Sequence, residues 1–200
     1  MIDHGSGSVP FSVTLELPGE RLSQIVGENE DLVSLDYMEE YGAALAKLHR
    51  TEISAGGVAD RKFFHAPSGA LLASLGLEEL APFFAKAPEK VPPCFCHGDF
   101  HYANVLWDRH HISGILDLEL SGYGDRDFDV AWALFRRPGQ TFLKTETEQA
   151  AFLKGYSQFG EYDRSAVRFY MAQCYVYFLQ FSADDAEYCS FVRSWLKKLI

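Results

Sequence analysis

The chain has 200 residues, a formal net charge of −10 and 48% hydrophobic residues. This composition excludes a disordered chain, and the acidic balance argues against a protein that neutralises the phosphates of duplex nucleic acid. The N-terminus lacks the basic and apolar regions of a signal peptide, and no apolar stretch is long enough to span a bilayer. We therefore expect a cytoplasmic protein that binds neither nucleic acid nor a membrane.

Four cysteines are too few for a disulfide scaffold in a chain of this length. The sequence contains no C-x-x-C pair, which argues against a structural zinc site. We expect buried free thiols in a reducing compartment.

The N-terminal part of the chain combines a hairpin pattern with two helical patterns. Alternating apolar and polar residues predict strands at 2–4 and 11–17, with a turn at 5–8 between them. Because a two-stranded hairpin is marginal alone, the pattern indicates the edge of a larger sheet. Helices are then predicted at 32–51, with Ser34 as a plausible N-cap, and at 68–87.

From residue 94 onwards the pattern changes to short strands around polar loops, followed by helices. The predicted strands are 94–97, 105–107 and 112–116, with a loop at 97–104. The predicted helices are 127–136, 146–159, 163–181 and 186–199. The sequence therefore predicts a mainly helical body with a small β-insert that carries polar loops.

Three polar residues in that insert have the chemistry of a hard-cation site. Asp99 and Asn104 are five residues apart in one loop, and Asp117 follows an apolar run. Mg²⁺ is typically held by one or two carboxylates together with substrate phosphates. Phosphoryl transfer also requires a group that orients the attacking hydroxyl, and Asp99 is available for that role.

The motifs that contain these residues resemble those of the aminoglycoside phosphotransferase/choline kinase-like family. HGDFHYANVLWD (97–108), ILDLE (115–119) and GDRDFDVAWAL (124–134) occur in the family's order. The segment 13–22 resembles the family's hinge strand, and 45–49 resembles the helix that follows it. The resemblance therefore extends over nearly the whole chain.

The resemblance implies an α+β fold, namely a protein-kinase-like C-terminal lobe that is mainly α-helical, with a small β-insert and one leftover N-lobe hairpin. Residues 1–22 would be the remnant of the N-lobe sheet and hinge. Residues 23–200 would form the C-lobe, with a catalytic loop at 97–104 and a metal segment at 115–119. The implied activity is ATP- and Mg²⁺-dependent phosphorylation of a small-molecule hydroxyl, with an acceptor that the net charge allows to be cationic.

The resemblance also implies roles for individual residues. Asp99 would be the catalytic base or hydroxyl-orienting group. Asn104 and Asp117 would hold the metal that bridges the ATP phosphates. Glu16 and Leu17 would offer backbone groups to adenine.

Four further residues are expected to support the site. His97 and Asp129 would brace the catalytic loop, and a buried, hydrogen-bonded carboxylate is the structural interpretation of Asp129. His101 either contacts phosphate or packs in the loop. Glu119 would share a side with Asp117 if the segment is extended, either next to the metal ligands or bracing the loop.

Other polar and aromatic features have structural interpretations that compete with functional ones. His49 is interpreted as a core histidine, and His110 and His111 as solvated turn residues rather than metal ligands. The aromatic run at 169–178 is predicted to be helical core, although one or two of its members could face a substrate. The acidic cluster at 184–187 either caps a helix or contacts a cationic substrate.

The phosphate clamp of a complete kinase is missing from this sequence. None of the first 15 residues is a lysine, and GSGS at 5–8 is interpreted as a hairpin turn. We therefore expect this chain alone to be a poor kinase, from a truncated or degenerate family member that could self-associate through the surface left by the missing lobe. The alternatives are a non-catalytic nucleotide- or ligand-binding pseudokinase module, and a metal-dependent hydrolase that uses His97, Asp99 and Asp117.

Overall fold

The computed structural model describes the backbone of residues 3–5, 11–13, 15–26, 31–61, 64–140, 143 and 145–200. The N-terminal hairpin consists of β1 (Asp3–Gly5) and β2 (Phe11–Val13), which pair antiparallel with Asp3 opposite Val13. The turn predicted at 5–8 lies largely outside the described residues. The second strand is shorter than predicted, because residues 15–19 form no strand and run instead along another sheet.

That second sheet has three strands, two of which belong to the predicted β-insert. β3 (Glu20–Arg21) pairs with β5 (Val105–Asp108), which forms a hairpin with β6 (His111–Ile115). A short helix, α1 (Leu22–Val26), follows β3 and buries Leu22. The sheet therefore ties the N-terminal segment to the hairpin that follows the predicted catalytic loop.

The helical core is centred on α2 (Asp31–His49) and α6 (Glu146–Tyr156). The two helices approach so closely that a Cβ on Gly42 would lie 1.9 Å from the carbonyl oxygen of Phe152. Ser34 lies inside α2, so the predicted N-cap is wrong. Its buried hydroxyl donates to Glu148 Oε1 over 2.6 Å and joins the two helices.

The single helix predicted at 68–87 is broken into shorter pieces. Ser68 caps α3 (Gly69–Ser74), and Gly76 then adopts a φ of +63°. A 3₁₀ turn follows, and α4 (Ala81–Phe84) has a proline in its first turn. The interruption arises because a left-handed glycine ends one helix and a proline begins the next.

The predicted catalytic loop, residues 97–104, lies between a two-stranded sheet and the remaining helices. β4 (Cys94–Cys96) pairs antiparallel with β7 (Gly122–Gly124), a strand that the sequence did not predict. The C-terminal helices confirm the sequence prediction to within a few residues; they are α5 (Arg126–Leu134), α7 (Arg164–Leu179) and α8 (Ala186–Lys197). Among the described residues, no helix has the length and apolar character that crossing a membrane requires.

Candidate active site

The loop that carries Asp99 begins directly after β4 and is held by a buried carboxylate. Asp129, on the first turns of α5, accepts from the backbone N–H of His97 over 2.8 Å and from that of Gly98 over 3.1 Å. Gly98 has a φ of +79°, and a Cβ there would lie 2.5 Å from the carbonyl oxygen of Leu120. The turn therefore requires glycine, and α5 fixes its position.

His97 joins the catalytic loop to the segment that carries Asp117. Its Nδ1 accepts from the backbone N–H of Asp99 over 3.2 Å, and its Nε2 lies 2.9 Å from the carbonyl oxygen of Leu116. These two contacts require a neutral ring that is protonated on Nε2. The backbone N–H of Leu116 also donates to the carbonyl oxygen of Asn104 over 2.8 Å. Both ends of the loop, His97 and Asn104, therefore contact Leu116, the residue before Asp117.

The Asp99 carboxylate is partly exposed, and three side chains surround it. The indole N–H of Trp132 donates to Asp99 Oδ1 over 2.7 Å. A guanidinium nitrogen of Arg61 lies 3.7 Å from Oδ2, and His101 Nε2 lies 3.9 Å from Oδ1. One oxygen is therefore fixed by a short hydrogen bond, whereas the other is within ion-pair distance but beyond normal hydrogen-bond length.

Sequence reasoning missed both Arg61 and Trp132. Trp132 follows Asp129 by three residues on α5, so the two side chains share a helix face, and that spacing was a usable signal. Arg61 lies in a loop far from Asp99 in the sequence. No local pattern around it indicates the contact.

The pKa of His101 is lowered to about 4, chiefly because burial disfavours the charged ring and also because the Arg137 guanidinium is near. Its Nδ1 accepts from the backbone N–H of Ala103 over 3.2 Å, which caps the 3₁₀ turn at Tyr102–Asn104. His101 is therefore neutral at physiological pH. It lies beside Asp99 without adding a positive charge.

Asn104 and Asp117 present oxygen atoms of the kind that Mg²⁺ binds. The side-chain N–H of Asn104 donates to the carbonyl oxygen of Asp99 over 3.0 Å, which leaves the amide oxygen as its cation-binding group. Asp117 has a φ of +61°, is exposed, and makes no side-chain hydrogen bond to the 3₁₀ turn that follows. These residues fit a divalent cation, because one amide oxygen and one accessible carboxylate remain available.

The expectation that Glu119 shares a side with Asp117 assumed an extended segment, and that assumption is wrong. The segment is not extended, because Leu118–Leu120 form a 3₁₀ turn directly after the left-handed Asp117. Alternation of side chains applies only to extended backbone. Glu119 is exposed within that turn.

Glu16 and Leu17 are both exposed and lie in the segment that runs along the β5–β6 hairpin. A Cβ on Gly114 would lie 2.7 Å from Leu17 Cδ1, so this glycine makes room for the leucine. The Ser113 hydroxyl donates to the carbonyl oxygen of Pro18. The candidate hinge is thereby attached to the same sheet as the catalytic loop.

The histidines, aromatic residues and acidic residues that had both a structural and a functional interpretation mostly make structural contacts. Buried His49 lies between Tyr156, at 2.7 Å, and Asp129, at 3.1 Å. Asp185 caps α8, and Glu187 accepts from Arg136 over 2.9 Å. Within the aromatic run, Phe169 and Tyr175 are buried, whereas Tyr170, Tyr177 and Phe178 are half-buried. His110 lies against Tyr37 at 5.0 Å between ring centroids, and His111 is exposed.

Comparison with solved structures relates this arrangement to small-molecule phosphotransferases. A thermostable mutant of aminoglycoside phosphotransferase APH(4)-Ia, in ternary complex with AMP-PNP and hygromycin B, is 17% identical with a TM-score of 0.58; the match covers 92% of this chain and 69% of that one. Macrolide 2′-phosphotransferase MphH from Brachybacterium faecium is 17% identical with a TM-score of 0.53, over 94% and 68%. Amicoumacin kinase hAmiN, in complex with AMP-PNP, Ca²⁺ and Ami, is 15% identical with a TM-score of 0.51, over 92% and 62%.

At these identities the likeness shows the fold, which is the α+β, protein-kinase-like fold expected from the motifs. The described part of this chain is a helical C-terminal lobe with a small sheet. A search of curated proteins found no match. The model of the phosphotransferase enzyme family matches residues 1–170. The chain therefore belongs to the phosphotransferase enzyme family.

Proposed function

We propose that this chain is an ATP- and Mg²⁺-dependent phosphotransferase whose acceptor is a hydroxyl group of a small molecule. The observation that carries the proposal is the connection between Asp99, Asn104 and Asp117. One loop holds the first two, and Leu116, the residue before the third, is hydrogen-bonded to the Asn104 carbonyl oxygen and to the His97 ring. Family membership supports the same assignment.

In this proposal Asp99 orients the acceptor hydroxyl and takes its proton. Trp132 fixes Oδ1, so Oδ2 is the oxygen that can accept from the hydroxyl. Arg61 lies 3.7 Å from Oδ2, which is within ion-pair distance but beyond normal hydrogen-bond length, so this oxygen stays available to the hydroxyl. The burial of Trp132 keeps the carboxylate orientation fixed.

Asn104 and Asp117 would hold the cation, whose positive charge would offset the negative charge of the transferred phosphoryl group. Glu16 and Leu17 would offer backbone groups to adenine, within an N-terminal segment 1–22 that adjoins the lobe 23–200. The acceptor class is suggested by the fold relatives, whose complexes contain hygromycin B and Ami. A net charge of −10 favours a cationic acceptor.

We also propose that these 200 residues transfer phosphate slowly. No lysine occurs among the first 15 residues to contact the α- and β-phosphates. The competing function is a pseudokinase module that binds nucleotide or another ligand without transferring phosphate. Nucleotide binding and transfer are therefore tested separately.

The test of nucleotide binding is a thermal-shift titration with AMP-PNP, with and without Mg²⁺. A ligand that binds only the folded chain raises its stability by RT ln(1 + [L]/Kd). We expect a Mg²⁺-dependent rise in Tm that Asp117→Ala abolishes and that Asp184→Ala, which removes an exposed carboxylate before α8, retains. A Mg²⁺ response that persists in Asp117→Ala would contradict the role of this residue.

The test of transfer uses ATP with hygromycin B, an amicoumacin and a macrolide as acceptors, and detects phosphorylated product by mass spectrometry. Asp99→Asn should reduce transfer by about 10²- to 10⁴-fold, the usual contribution of a general base, while AMP-PNP still raises Tm. Asp36→Asn, at an exposed position on α2, is the matched control. Nucleotide binding by the wild-type chain without transfer to any acceptor would favour the pseudokinase alternative.

A further inference from the structure

A cluster of two thiols and one imidazole lies behind the catalytic loop, and the proposed phosphotransfer chemistry does not use it. Cys94 and Cys96 are alternate residues of β4, so their side chains share one face of the strand, with the sulfur atoms 3.9 Å apart. A ring nitrogen of His49, from the end of α2, completes a group whose ligand atoms all lie within 4.8 Å of one another. All four cysteines of the chain are free thiols.

We propose that Cys94, Cys96 and His49 form a binding site for a soft cation of the Zn²⁺ class, distinct from the hard-oxygen pair Asn104 and Asp117. The proposal is independent of the proposed function. Two cysteines and one histidine, with a position left open, are a common ligand set for this ion. The spacing C-x-C could not indicate the site in the sequence, because the third ligand comes from a helix 45 residues earlier.

The distance between the sulfur atoms matches this occupant. Two sulfurs bound to one tetrahedral Zn²⁺ at about 2.3 Å lie about 3.8 Å apart. The observed 3.9 Å needs almost no rearrangement, whereas a disulfide would require the sulfurs to close to about 2.05 Å. The strand thus presents the two thiols at the separation of metal ligands rather than at that of a bond.

The contacts of His49 agree with a metal-binding role. Metal-bound histidines usually donate their second ring N–H to a carboxylate. Nε2 of His49 lies 3.1 Å from Asp129 Oδ2, which leaves Nδ1 as the nitrogen that can bind the cation. Nδ1 now lies 2.7 Å from the hydroxyl of Tyr156, and that contact would be given up on binding.

An open cavity of about 460 Å³ reaches two of the three proposed ligands, His49 and Cys94. It is lined by His49, Cys94 and Tyr156, and also by two arginines, Arg50 and Arg126. Two thiolates and a neutral imidazole form a centre of zero net charge with Zn²⁺. The two arginines therefore do not repel the loaded site. Arg126 Nε is buried without a hydrogen-bond partner in the described part of the chain. The cavity can supply water as the fourth ligand.

The experiment uses the reduced, metal-free chain. Co²⁺ is added as a spectroscopic probe, and Zn²⁺ affinity is measured by competition with a chromophoric chelator. We expect one equivalent of Co²⁺ to give thiolate-to-cobalt charge-transfer absorption, which Zn²⁺ displaces. Cys94→Ser and Cys96→Ser should each weaken Zn²⁺ binding by more than the 10- to 100-fold typical of losing an outer-shell partner.

Two further variants complete the design. Cys189→Ser changes a partly exposed thiol on α8 that contacts Ser182. This variant should bind Zn²⁺ like the wild type. His49→Asn, with its fold verified by circular dichroism, should bind Zn²⁺ more weakly and shift the visible Co²⁺ bands. The proposal is overturned by the absence of a charge-transfer band in the wild type, by full affinity in either Cys94→Ser or Cys96→Ser, or by unchanged affinity in a folded His49→Asn.

Discussion

At the scale of single residues, the candidate site depends on how each neighbour of Asp99 is charged. Arg61 brings a positive charge to one carboxylate oxygen, while His101 is neutral on the other side. Trp132 contributes a hydrogen bond without a charge. This combination keeps one carboxylate oriented at a partly exposed position.

His101 gives the site a predictable effect on stability in acid. Its pKa is about 4 in the fold, chiefly because of burial, compared with about 6.5 in an unfolded chain. Between these values the unfolded chain binds a proton that the folded chain does not, so the free energy of unfolding falls as the pH falls. His101→Asn, whose amide oxygen can still accept from Ala103, should avoid a loss of up to about 3 kcal/mol between pH 6.5 and pH 4.

Urea unfolding at several pH values measures this difference. The control is His110→Asn, the same substitution at an exposed histidine outside the candidate site. Equal acid destabilisation of wild type and His101→Asn would show that the ring is not held neutral. Asp127, whose pKa is raised to about 6 by burial, titrates in both proteins and cancels in the comparison.

At the scale of elements, the contact between α2 and α6 sets the core. Gly155 on α6 faces the backbone of α2, and a Cβ there would lie 1.9 Å from the carbonyl oxygen of Glu39. Gly42 makes the reciprocal approach to Phe152. Buried Glu148 adds hydrogen bonds to Ser34 and to the start of its own helix. Two glycines thus allow the helices to pack backbone against backbone.

Gly155→Ala should therefore destabilise the chain, although alanine is normally the better helix former. Overpacking typically costs about 1–3 kcal/mol, and a backbone oxygen cannot move aside as a side chain can. Gly69→Ala, at a helical position with nothing within 4 Å, should instead stabilise by about 0.5–1 kcal/mol. Unfolding midpoints in urea measure both changes, and a stable Gly155→Ala would contradict the close approach of the two helices.

At the scale of the whole molecule, Asp129 connects three parts of the chain. It lies on α5, accepts from the backbone amides of His97 and Gly98 in the candidate site, and contacts His49 at the end of α2. Its side chain is buried, with 2% exposed, so these contacts offset the free-energy cost of burying the carboxylate. The loop geometry therefore depends on how the helices are assembled.

Asp129→Asn should loosen the loop, because an amide offers one acceptor oxygen where the carboxylate offers two. The loss of one hydrogen bond to a charged group costs about 1.5–3 kcal/mol, so exchange of the amide of His97 or Gly98 should accelerate by at least about tenfold. Hydrogen exchange resolved by residue measures this. Asp163→Asn, which alters the cap of α7, should leave both amides unchanged. Unaltered exchange in Asp129→Asn would contradict its bracing role.

Features that depend on near neighbours could be predicted from the sequence. Periodic apolar residues predicted α2 and the three C-terminal helices, because helical spacing is a local property. The motif from His97 to Asn104 indicated one loop, since Asp99 and Asn104 are only five residues apart and must lie close together. The order of the motifs predicted the fold.

Only the tertiary structure decided which distant residues meet. Arg61 and Trp132 approach Asp99, Ser34 bonds to Glu148, and His49 lies beside the two cysteines of β4. Each pair or cluster is brought together by helix and strand packing across long sequence separations. Such packing depends on the whole core, so no local pattern carries the signal.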